Sequence, residues 1–517
     1  MPARRLLGLT VLGCTIWAAV ALEAQTPPEA MPPSSHSVQL PLSGRTGEPG
    51  SVATVQTAQP GGGAQTVNTI NSAVQVQGAY QGSVPSSTTP GASVAISLDE
   101  AVRRGLEYNL GTVGYQQTIR QAQSQNASAR SALLPDVTGG ALAVEQQIDL
   151  AALGFSSIKT PPGSFAFPTV IGPFHYVDLR AGLSQSLVDF TRINNYRASQ
   201  ANLRATEFAA RDARDLVVLA VTGAYLEVIS STARVDSARA QVATARATWQ
   251  QALDRHNAGL AARIDVTRSQ VELQTNQQRL TSVENDLAKR KIQFGRLIGL
   301  PPGQEFTLSD SLPYAPLSDL GLDQALARAT TNRADLKAAE AQVRAAELVK
   351  QAAIAERLPN VTVSGDYGAI GTSPTSAHGT FNVTGSVRFP IFDGGRIRAD
   401  IEQADASLRQ RQAEYQDLRG RVDADVRSAY LDLTSAANQV TVAQSNRGLA
   451  AETLQQARDR FAAGVADTVE VVQAQEAVAG AEQDYIAALY AHNLAKASLA
   501  RAMGQADQGI KQFLRTP

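Results

Sequence analysis

The residues that most often carry chemistry in proteins are few in this chain and widely spaced. Its one cysteine, Cys14, lies in the first apolar segment, so the rest of the chain offers no disulfide, thiolate nucleophile or cysteine metal site. The histidines never stand at HxH or HxxxH spacing, and the sequence therefore predicts no histidine zinc site. They are His36, His175, His256, His378 and His492. A Ser-His-Asp arrangement, a P-loop and a dinucleotide fingerprint are also missing from the sequence, which favours a protein that is not an enzyme and holds no cofactor.

The charge balance and composition exclude two further classes of protein. With 46 Lys and Arg against 47 Asp and Glu, the net charge of −1 provides no basic excess for binding nucleic acid. Hydrophobic residues make up 43% of the 517 residues, which is enough to bury a sizeable core and excludes general disorder. Charged residues (18%) and aromatic residues (5%) are scarce, so we expect close packing of small side chains.

Residues 1–24 have the organisation of a signal peptide for export. A basic start precedes an apolar run that ends in small residues, and we expect cleavage after Ala21 or Ala24. An alternative is that residues 11–14 form a lipobox, which would make Cys14 the lipidated first residue. The chain stays apolar after Cys14, and this favours ordinary cleavage.

The segment after the signal peptide is defined by its composition. Residues 25–95 are rich in Pro, Gly, Ser, Thr and Gln and carry few charges, which predicts a flexible low-complexity extension. No later segment has the roughly 18–20 uninterrupted apolar residues of a transmembrane helix. Entry into a membrane would therefore require β-strands.

The rest of the chain contains two copies of one repeat unit. Similar blocks recur in the same order, at a spacing of 205 residues (255 to 460) late in the unit and 224 residues (134 to 358) early in it. The matching blocks are 255–260 with 460–465, 224–226 with 429–431, 134–138 with 358–362 and 98–101 with 322–325. The change of spacing indicates a longer loop in the first unit, at residues 154–173. We predict a first repeat over residues 96–305, a second over residues 318–506 and a C-terminal tail over residues 507–517.

Long helices are predicted within each repeat, because apolar residues recur every three or four positions over stretches without proline. The predicted helices are 98–133, 193–256 and 264–297 in the first repeat and 322–357, 397–461 and 468–503 in the second. The longest helix of each repeat would extend about 100 Å at 1.5 Å per residue. Gly259 and Gly464 follow these longest helices and supply the positive φ that ends a helix, so each repeat is expected to contain a long helical hairpin.

Ahead of each longest helix the period changes to two, which is typical of β-strands. The alternating residues are Val137, Gly139, Ala141 and Ala143, then Val177, Leu179, Ala181 and Leu183, and in the second repeat Val361, Val363, Gly365 and Tyr367, then Phe381, Val383, Gly385, Val387 and Phe389. Strands of about ten residues match the length of a tilted transmembrane strand. Four strands cannot close a barrel, and an open edge in lipid costs several kcal/mol per unpaired group, so about two to four chains would have to combine. The alternative is two soluble β-hairpins that cap a helical rod.

In this order of elements, residues 95–505 resemble the TolC-type outer membrane efflux proteins. The motifs are Leu322-Asp323-Gln324-Ala325, Leu358-Pro359-Asn360-Val361, Phe389-Pro390-Ile391-Phe392-Asp393-Gly394-Gly395-Arg396, Ala429-Tyr430-Leu431 and the turn from Arg460 to Gly464. The first repeat departs from the pattern at residues 187–192, where the family usually has glycines. The resemblance implies a mainly α fold with a transmembrane β-barrel, in which two tandem repeats each supply two membrane strands and a long antiparallel helical hairpin.

The resemblance also implies an assembly and a function. A homotrimer would form a 12-stranded barrel in outer membrane lipid and an α-helical tunnel in the periplasm. Such a channel belongs to a tripartite efflux system and passively conducts substrates to the exterior, from an inner-membrane pump (RND, MFS or ABC type) and a periplasmic adaptor protein. The alternatives are the outer membrane conduit of a type I protein secretion system and, in another class, a periplasmic coiled-coil scaffold or adaptor.

The same resemblance assigns candidate site residues to the two hairpin turns. The residues that would contact the adaptor are Ala258, Gly259, Leu260, Ala463, Gly464 and Val465. Asp265 matches an acidic residue of the family's closing network, and Glu470 matches an acidic residue that rings the constricted pore entrance. Three copies of one carboxylate around a narrow pore would favour cations over anions.

Two positions depart from the family's gate. Ala466 stands where an arginine is frequent, and Gln473 stands where a second acidic ring can lie. The resting lock would then use other pairs, such as Arg263 with Asp467.

A simpler interpretation of the charged residues near the turns stays open. Asp265 and Glu470 could be solvated charges on helix faces. Arg255 and Arg460 could serve only to favour a helix C-terminus through its dipole.

Overall fold

The computed structural model describes residues 51–58, 70–153, 168–310, 314–315 and 320–507. The expected signal peptide with Cys14, the first part of the expected extension and residues 508–517 lie outside these ranges. The described helices are α1 (Leu98–Tyr108), α2 (Leu110–Ser131), α3 (Phe190–Asn257), α4 (Arg263–Leu297), α5 (Leu322–Asn332), α6 (Ala334–Ala355), α7 (Arg396–Ala462) and α8 (Thr468–Ala502). The described strands are β1 (Val52–Ala58), β2 (Ile70–Val76), β3 (Val94–Ile96), β4 (Asp136–Asp149), β5 (Val170–Val188), β6 (Phe306–Leu308), β7 (Asn360–Gly371) and β8 (His378–Arg388). The described part of the chain is therefore mainly helical.

Two long helical hairpins account for much of the fold. α3 has 68 residues and α7 has 67, and each is followed by a 35-residue helix that packs back along it. Since α4 and α8 are half as long as their partners, the remaining halves of α3 and α7 pack instead against α2 and α6. The bounds predicted for these four hairpin helices are confirmed to within a few residues.

The lead-in helix predicted for each repeat is wrong in one respect, because each is interrupted once. Asn109 and Arg333 have extended backbones, with ψ of 134° and 123°, and separate α1 from α2 and α5 from α6. The Asn109 side chain accepts a hydrogen bond from the N–H of Gly111 at 2.8 Å and so caps α2. The buried guanidinium of Arg333 binds Asp335 at 2.6 Å and Asp425 at 3.0 Å. These side-chain bonds stabilise the breaks, and helical periodicity does not reveal them.

β4, β5, β7 and β8 form one antiparallel sheet in that order. They contain 14, 19, 12 and 11 residues, so the predicted length of about ten is close for the second pair and too short for the first. The difference arises because the β4–β5 ladder continues to the pair Asp149 and Val170, past the residues that alternate clearly. Within the described residues, the outer edges of β4 and β8 have no strand partner.

The two faces of this sheet differ in chemistry. On one face Tyr367 is paired with Phe381, and their exposed fractions are 69% and 76%. On the other face the Arg180 guanidinium forms ion pairs with Asp178 and Asp366. Because side chains alternate along a strand, the sheet has an apolar face and a polar face.

The expectation of a flexible extension is wrong for its described part, which begins at residue 51. β1 and β2 form an antiparallel pair, and β2 contacts α3 and α8. The side chain of Val74 lies where a Cβ on Gly223 of α3 would stand, so the strand approaches the helix closely. Tyr80, just after β2, is 2% exposed. The polar composition of the segment conceals the apolar alternation in β2 that allows this packing.

The central part of α3 is the main core element among the described residues. By length and composition its apolar stretch could cross a membrane, but most of that stretch is buried against other elements. Tyr225 packs edge-on against Phe294 of α4, with the ring centroids 5.8 Å apart. Further toward the N-terminus of α3, Asp212 forms an ion pair with Arg501 of α8 at 2.5 Å. Burial raises the pKa of Asp212 to about 6, although the attraction of Arg501 opposes that rise.

Candidate functional site at the two hairpin tips

The two hairpin turns have the same backbone geometry. Gly259 and Gly464 follow the long helices with φ of +72° and +75°. In each turn the N–H of the next residue donates to the carbonyl five residues back, at 2.8 Å for Leu260 and 3.0 Å for Val465. This is a Schellman motif, in which glycine adopts the left-handed conformation without a Cβ penalty. The turns lie at the glycines from which the sequence predicts them.

Each turn exposes one branched apolar side chain. Leu260 is 72% exposed and Val465 is 71% exposed. Ala258 and Ala463, which directly follow the long helices as their C-caps, are exposed as well. Exposed apolar groups at the end of a rigid element are suited to contact with another protein.

The helices that follow the turns begin differently. The Asp467 carboxylate caps α8 by accepting hydrogen bonds from the N–H groups of Val469 at 3.1 Å and Glu470 at 3.2 Å. Ala262, at the equivalent position before α4, provides no side-chain cap. Among the described residues of one chain, Asp467 and Arg263 form no ion pair with each other, and the lock between them stays a prediction for the assembled channel. Arg263 has no ion pair in the part of the chain that the structure describes.

The two candidate entrance carboxylates occupy equivalent positions in the first turns of α4 and α8. Glu470 forms an ion pair with Arg460 of the same hairpin, with Oε1 and Nε 3.2 Å apart. Both of these side chains are substantially exposed, so the pair contributes only about 0–1 kcal/mol. Asp265 has no ion pair among the described residues. Both acids also interact favourably with the positive end of their helix dipole.

Arg255 connects the two hairpins. Its Nη1 donates to the carbonyl oxygen of Phe461 at 2.6 Å, and its guanidinium carbon lies 4.6 Å from the centroid of the Phe461 ring. A hydrogen bond from a charged donor contributes about 1.5–3 kcal/mol, and a cation–π contact adds about 0.5–1 kcal/mol. Arg255 therefore does more than favour the C-terminus of its own helix through the helix dipole. It is a second donor, besides the N–H of Gly464, to a carbonyl at the C-terminus of α7, in the other hairpin.

The tips offer fixed turns, exposed apolar side chains, two carboxylates and one contact between hairpins. Within the described residues, no group of three or more His, Cys, Asp or Glu side chains is placed to hold a metal ion. The geometry suits docking and gating. Sequence reasoning did not identify Phe461 as a site residue. The repeat spacing aligns Phe461 with His256, so the sequence does show that only the second tip carries a phenyl ring at this position.

Comparison with a family model, with two related sequences and with a solved structure gives consistent results. A family model described as Outer membrane efflux protein matches residues 115–300 and 325–505. The chain is 25% identical over 429 residues to the pyoverdine export outer membrane protein OpmQ of Pseudomonas aeruginosa, covering 81% of this chain and 87% of OpmQ. It is 24% identical over 382 residues to the toluene efflux pump outer membrane protein TtgF of Pseudomonas putida, covering 69% and 72%. The crystal structure of the outer membrane protein VceC from Vibrio cholerae has the same fold, with a TM-score of 0.66 and 18% identity over 79% of this chain and 96% of VceC.

Proposed function

The chain belongs to the outer membrane efflux protein family, and from this premise we propose that it is the outer membrane channel of a tripartite efflux system. It is an outer membrane protein whose relatives are channels. In the proposed system an inner-membrane pump and a periplasmic adaptor deliver substrates, and the channel conducts them passively to the exterior. The names of OpmQ and TtgF, which refer to pyoverdine export and toluene efflux, support an export role.

The observation that carries this proposal is the four-stranded sheet, with one apolar face and two edges that have no strand partner among the described residues. In lipid each unpaired backbone group costs several kcal/mol, so these edges would pair with the edges of other copies. A homotrimer would close a 12-stranded barrel, within the range known for outer membranes. Tyr367 and Phe381 would then face lipid, and the polar cluster around Arg180 would face the lumen.

The helical part would form the periplasmic tunnel. At 1.5 Å per residue, α3 and α7 each extend about 100 Å from the sheet to the tips. Two tandem repeats, residues 96–305 and 318–506, would each contribute two membrane strands and one hairpin. The N-terminal strand pair would pack on this helical layer through β2.

The hairpin tips would form the tunnel entrance. We assign adaptor contact to the turn residues, because each turn presents a rigid backbone and one exposed apolar side chain. The entrance would be lined by Asp265 and Glu470, three copies of each. Arg255 would hold the two hairpins of one chain together in the resting state.

Two measurements on the full chain test this function. The first is the conductance of the protein purified from outer membranes and reconstituted in planar bilayers, where we expect trimers that form water-filled channels. The second is ethidium accumulation in a host that lacks its own efflux channels. Co-expression of the chain with an adaptor and a pump should lower accumulation several-fold, and omission of any one component should abolish the effect.

Two outcomes would redirect the proposal. A protein that is extracted from membranes as a water-soluble monomer without conductance would contradict the channel and favour the periplasmic scaffold. Secretion of a polypeptide in the presence of an ABC-type partner, without any change in ethidium accumulation, would favour the type I secretion conduit.

A further inference from the structure

A groove of about 490 Å³ lies between the two helical hairpins, away from the tips. Its lining residues come from α3, α4, α7 and α8, and they lie roughly 15–40 Å from the turns at 1.5 Å per residue. The volume is in the range of small-molecule sites. Neither the proposed entrance nor the proposed adaptor contacts use these residues.

An acceptor without a donor lies in the wall of the groove. Gln475 is 9% exposed, and its Nε2 donates to the Thr248 hydroxyl at 2.8 Å. That hydroxyl itself donates to the carbonyl of Thr244 at 3.1 Å, so it can only accept from Gln475, and the amide orientation of Gln475 is fixed. The Gln475 oxygen has no hydrogen-bond partner within the described residues.

A second side chain in the wall has the same property. Gln241 of α3 lines the groove, and its carbonyl oxygen also has no hydrogen-bond partner in the described part of the chain. The two free atoms are thus both acceptors with negative partial charge. Both side chains line the groove, and buried acceptors are stabilised when they gain a donor.

Carboxylates outnumber guanidinium groups around the groove. The carboxylates are Asp236, Glu272, Glu476 and Glu482, and the guanidinium groups are Arg279 and Arg447. The excess is two negative charges in each chain. Arg447 is engaged with Glu482 at 2.6 Å and with the ring of Tyr485 at 5.0 Å, so it is not available to a ligand.

The other carboxylates differ in their engagement. Asp236 has only a long contact of 3.7 Å to Arg239, outside the groove. Glu272 accepts a hydrogen bond from Asn276 at 2.6 Å, which leaves its charge uncompensated. Glu476 has no ion pair within the described hairpins. The open part of the groove therefore has a negative potential and attracts cations.

The groove also has apolar lining residues. Among them are Leu454 of α7 and Ile486 and Leu489 of α8. Apolar surface of this kind binds the hydrocarbon or aromatic body of a ligand by excluding water.

We propose that this groove binds an amphipathic organic cation, with a protonated amine near Glu272 and Glu476 and an apolar body against Ile486. The unpaired acceptors favour a ligand with N–H donors, and the charge excess favours a positive one. This binding site goes beyond the channel function, since binding here needs neither the adaptor nor the pump.

The test uses the full chain in detergent and the fluorescent amine dansylcadaverine, with fluorescence anisotropy as the readout. The N-acetylated derivative of the same probe is the matched neutral control. We expect the amine to bind about tenfold more tightly than the neutral derivative, and the double variant Glu272→Gln with Glu476→Gln to lose about tenfold in affinity. Glu207→Gln, which removes a carboxylate of α3 outside the groove, should leave binding unchanged.

A labelling experiment tests the location independently of the carboxylate variants. In a Cys14→Ser background, Ala240→Cys places one thiol in the groove wall, and dansylcadaverine should slow its reaction with a maleimide several-fold. Equal binding of the amine and the neutral probe would overturn the proposal. So would unprotected labelling at saturation, or a Glu207→Gln effect as large as that of the double variant. Conductance in planar bilayers reports on the channel separately from either result.

Discussion

The two hairpin tips share a turn and differ in the partners of their charged side chains. Arg255 and Arg460 stand at equivalent positions before the turn, and Asp265 and Glu470 stand at equivalent positions after it. In the second hairpin, Arg460 contacts Glu470 of its own hairpin. In the first hairpin, the Arg255 side chain extends to the other hairpin and contacts the end of α7.

Two side-chain differences account for this asymmetry. Asp265 is one methylene shorter than Glu470, so it reaches less far toward the arginine before the turn. The residue equivalent to Phe461 is His256, whose Nδ1 lies 2.9 Å from the carbonyl oxygen of Ala261 in its own turn. Only the second tip therefore presents a phenyl face to the neighbouring hairpin. The glycine determines the backbone of each turn, and one or two neighbouring side chains determine what the tip binds.

The largest effect is expected from substitutions of the turn glycines, the feature that both tips share. Gly259→Glu and Gly464→Glu each place a long charged side chain at a left-handed position of a rigid turn, which strains the backbone and obstructs docking. We expect either variant to reduce drug resistance in the reconstituted three-component host by about tenfold or more, while trimers still assemble. Gly448→Glu, on an open face of α7, is the matched control and should retain resistance. Full resistance in both tip variants would argue against adaptor docking at the turns.

The shared part of the tips is also the part that sequence reasoning predicts best. A helix that ends at a residue with positive φ favours glycine there. Gly259 and Gly464 each follow a long stretch without proline and recur at the repeat spacing, which is enough to place both turns. The contact of Arg255 with Phe461 could not be predicted in this way. It depends on how close two hairpins lie, and no local pattern reports that distance.

The second expected effect distinguishes the roles of the two arginines in channel opening. Arg255→Ala removes a charged hydrogen bond and a cation–π contact between hairpins, so we expect the resting channel to open about tenfold more often in planar bilayers. Arg460→Ala removes an exposed pair within one hairpin and should change opening less than about fivefold. Arg255→Lys keeps the charge and should give an intermediate result. Equal opening in the two alanine variants would show that the contact between hairpins does not hold the tips together.

The third effect concerns the two carboxylates and the ion selectivity of the pore. Glu470→Ala removes a carboxylate and releases Arg460 from its ion pair, whereas Asp265→Ala removes a carboxylate that has no pair among the described residues. We expect the ratio of potassium to chloride permeability to fall about two- to fivefold in Glu470→Ala and by less in Asp265→Ala. The difference in permeability ratio between the two variants should disappear at about 1 M salt, because the Debye length is then only a few ångströms. Unchanged selectivity in Glu470→Ala would mean that Glu470 is only a solvated charge.

Similar limits apply to the rest of the fold. The long helices and the membrane-length strands follow from periodicity, because each has one apolar stripe or face over many residues. The breaks at Asn109 and Arg333 do not follow from it. Both are buried polar side chains that have distant partners besides their local ones, the Tyr80 carbonyl oxygen for Asn109 and Asp425 for Arg333. The packing of β2 on α3 is hidden for a related reason, because Gly223 matters only once Val74 is known to lie against it.

The smallest expected effect exchanges the caps of the two second helices. Asp467→Ala removes the side-chain acceptor that serves Val469 and Glu470, and it should destabilise the first turn of α8 by about 1 kcal/mol. Ala262→Asp introduces a cap where α4 has none and should stabilise its first turn by a similar amount. Hydrogen exchange of peptides covering residues 263–270 and 468–475 measures both changes, and exchange in the centres of α4 and α8 is the internal control. Because a cap satisfies only backbone groups at its own end, exchange in those centres should stay constant. If neither first turn changes its exchange rate, the difference between Asp467 and Ala262 does not contribute to the asymmetry of the tips, and the arginine contacts alone account for it.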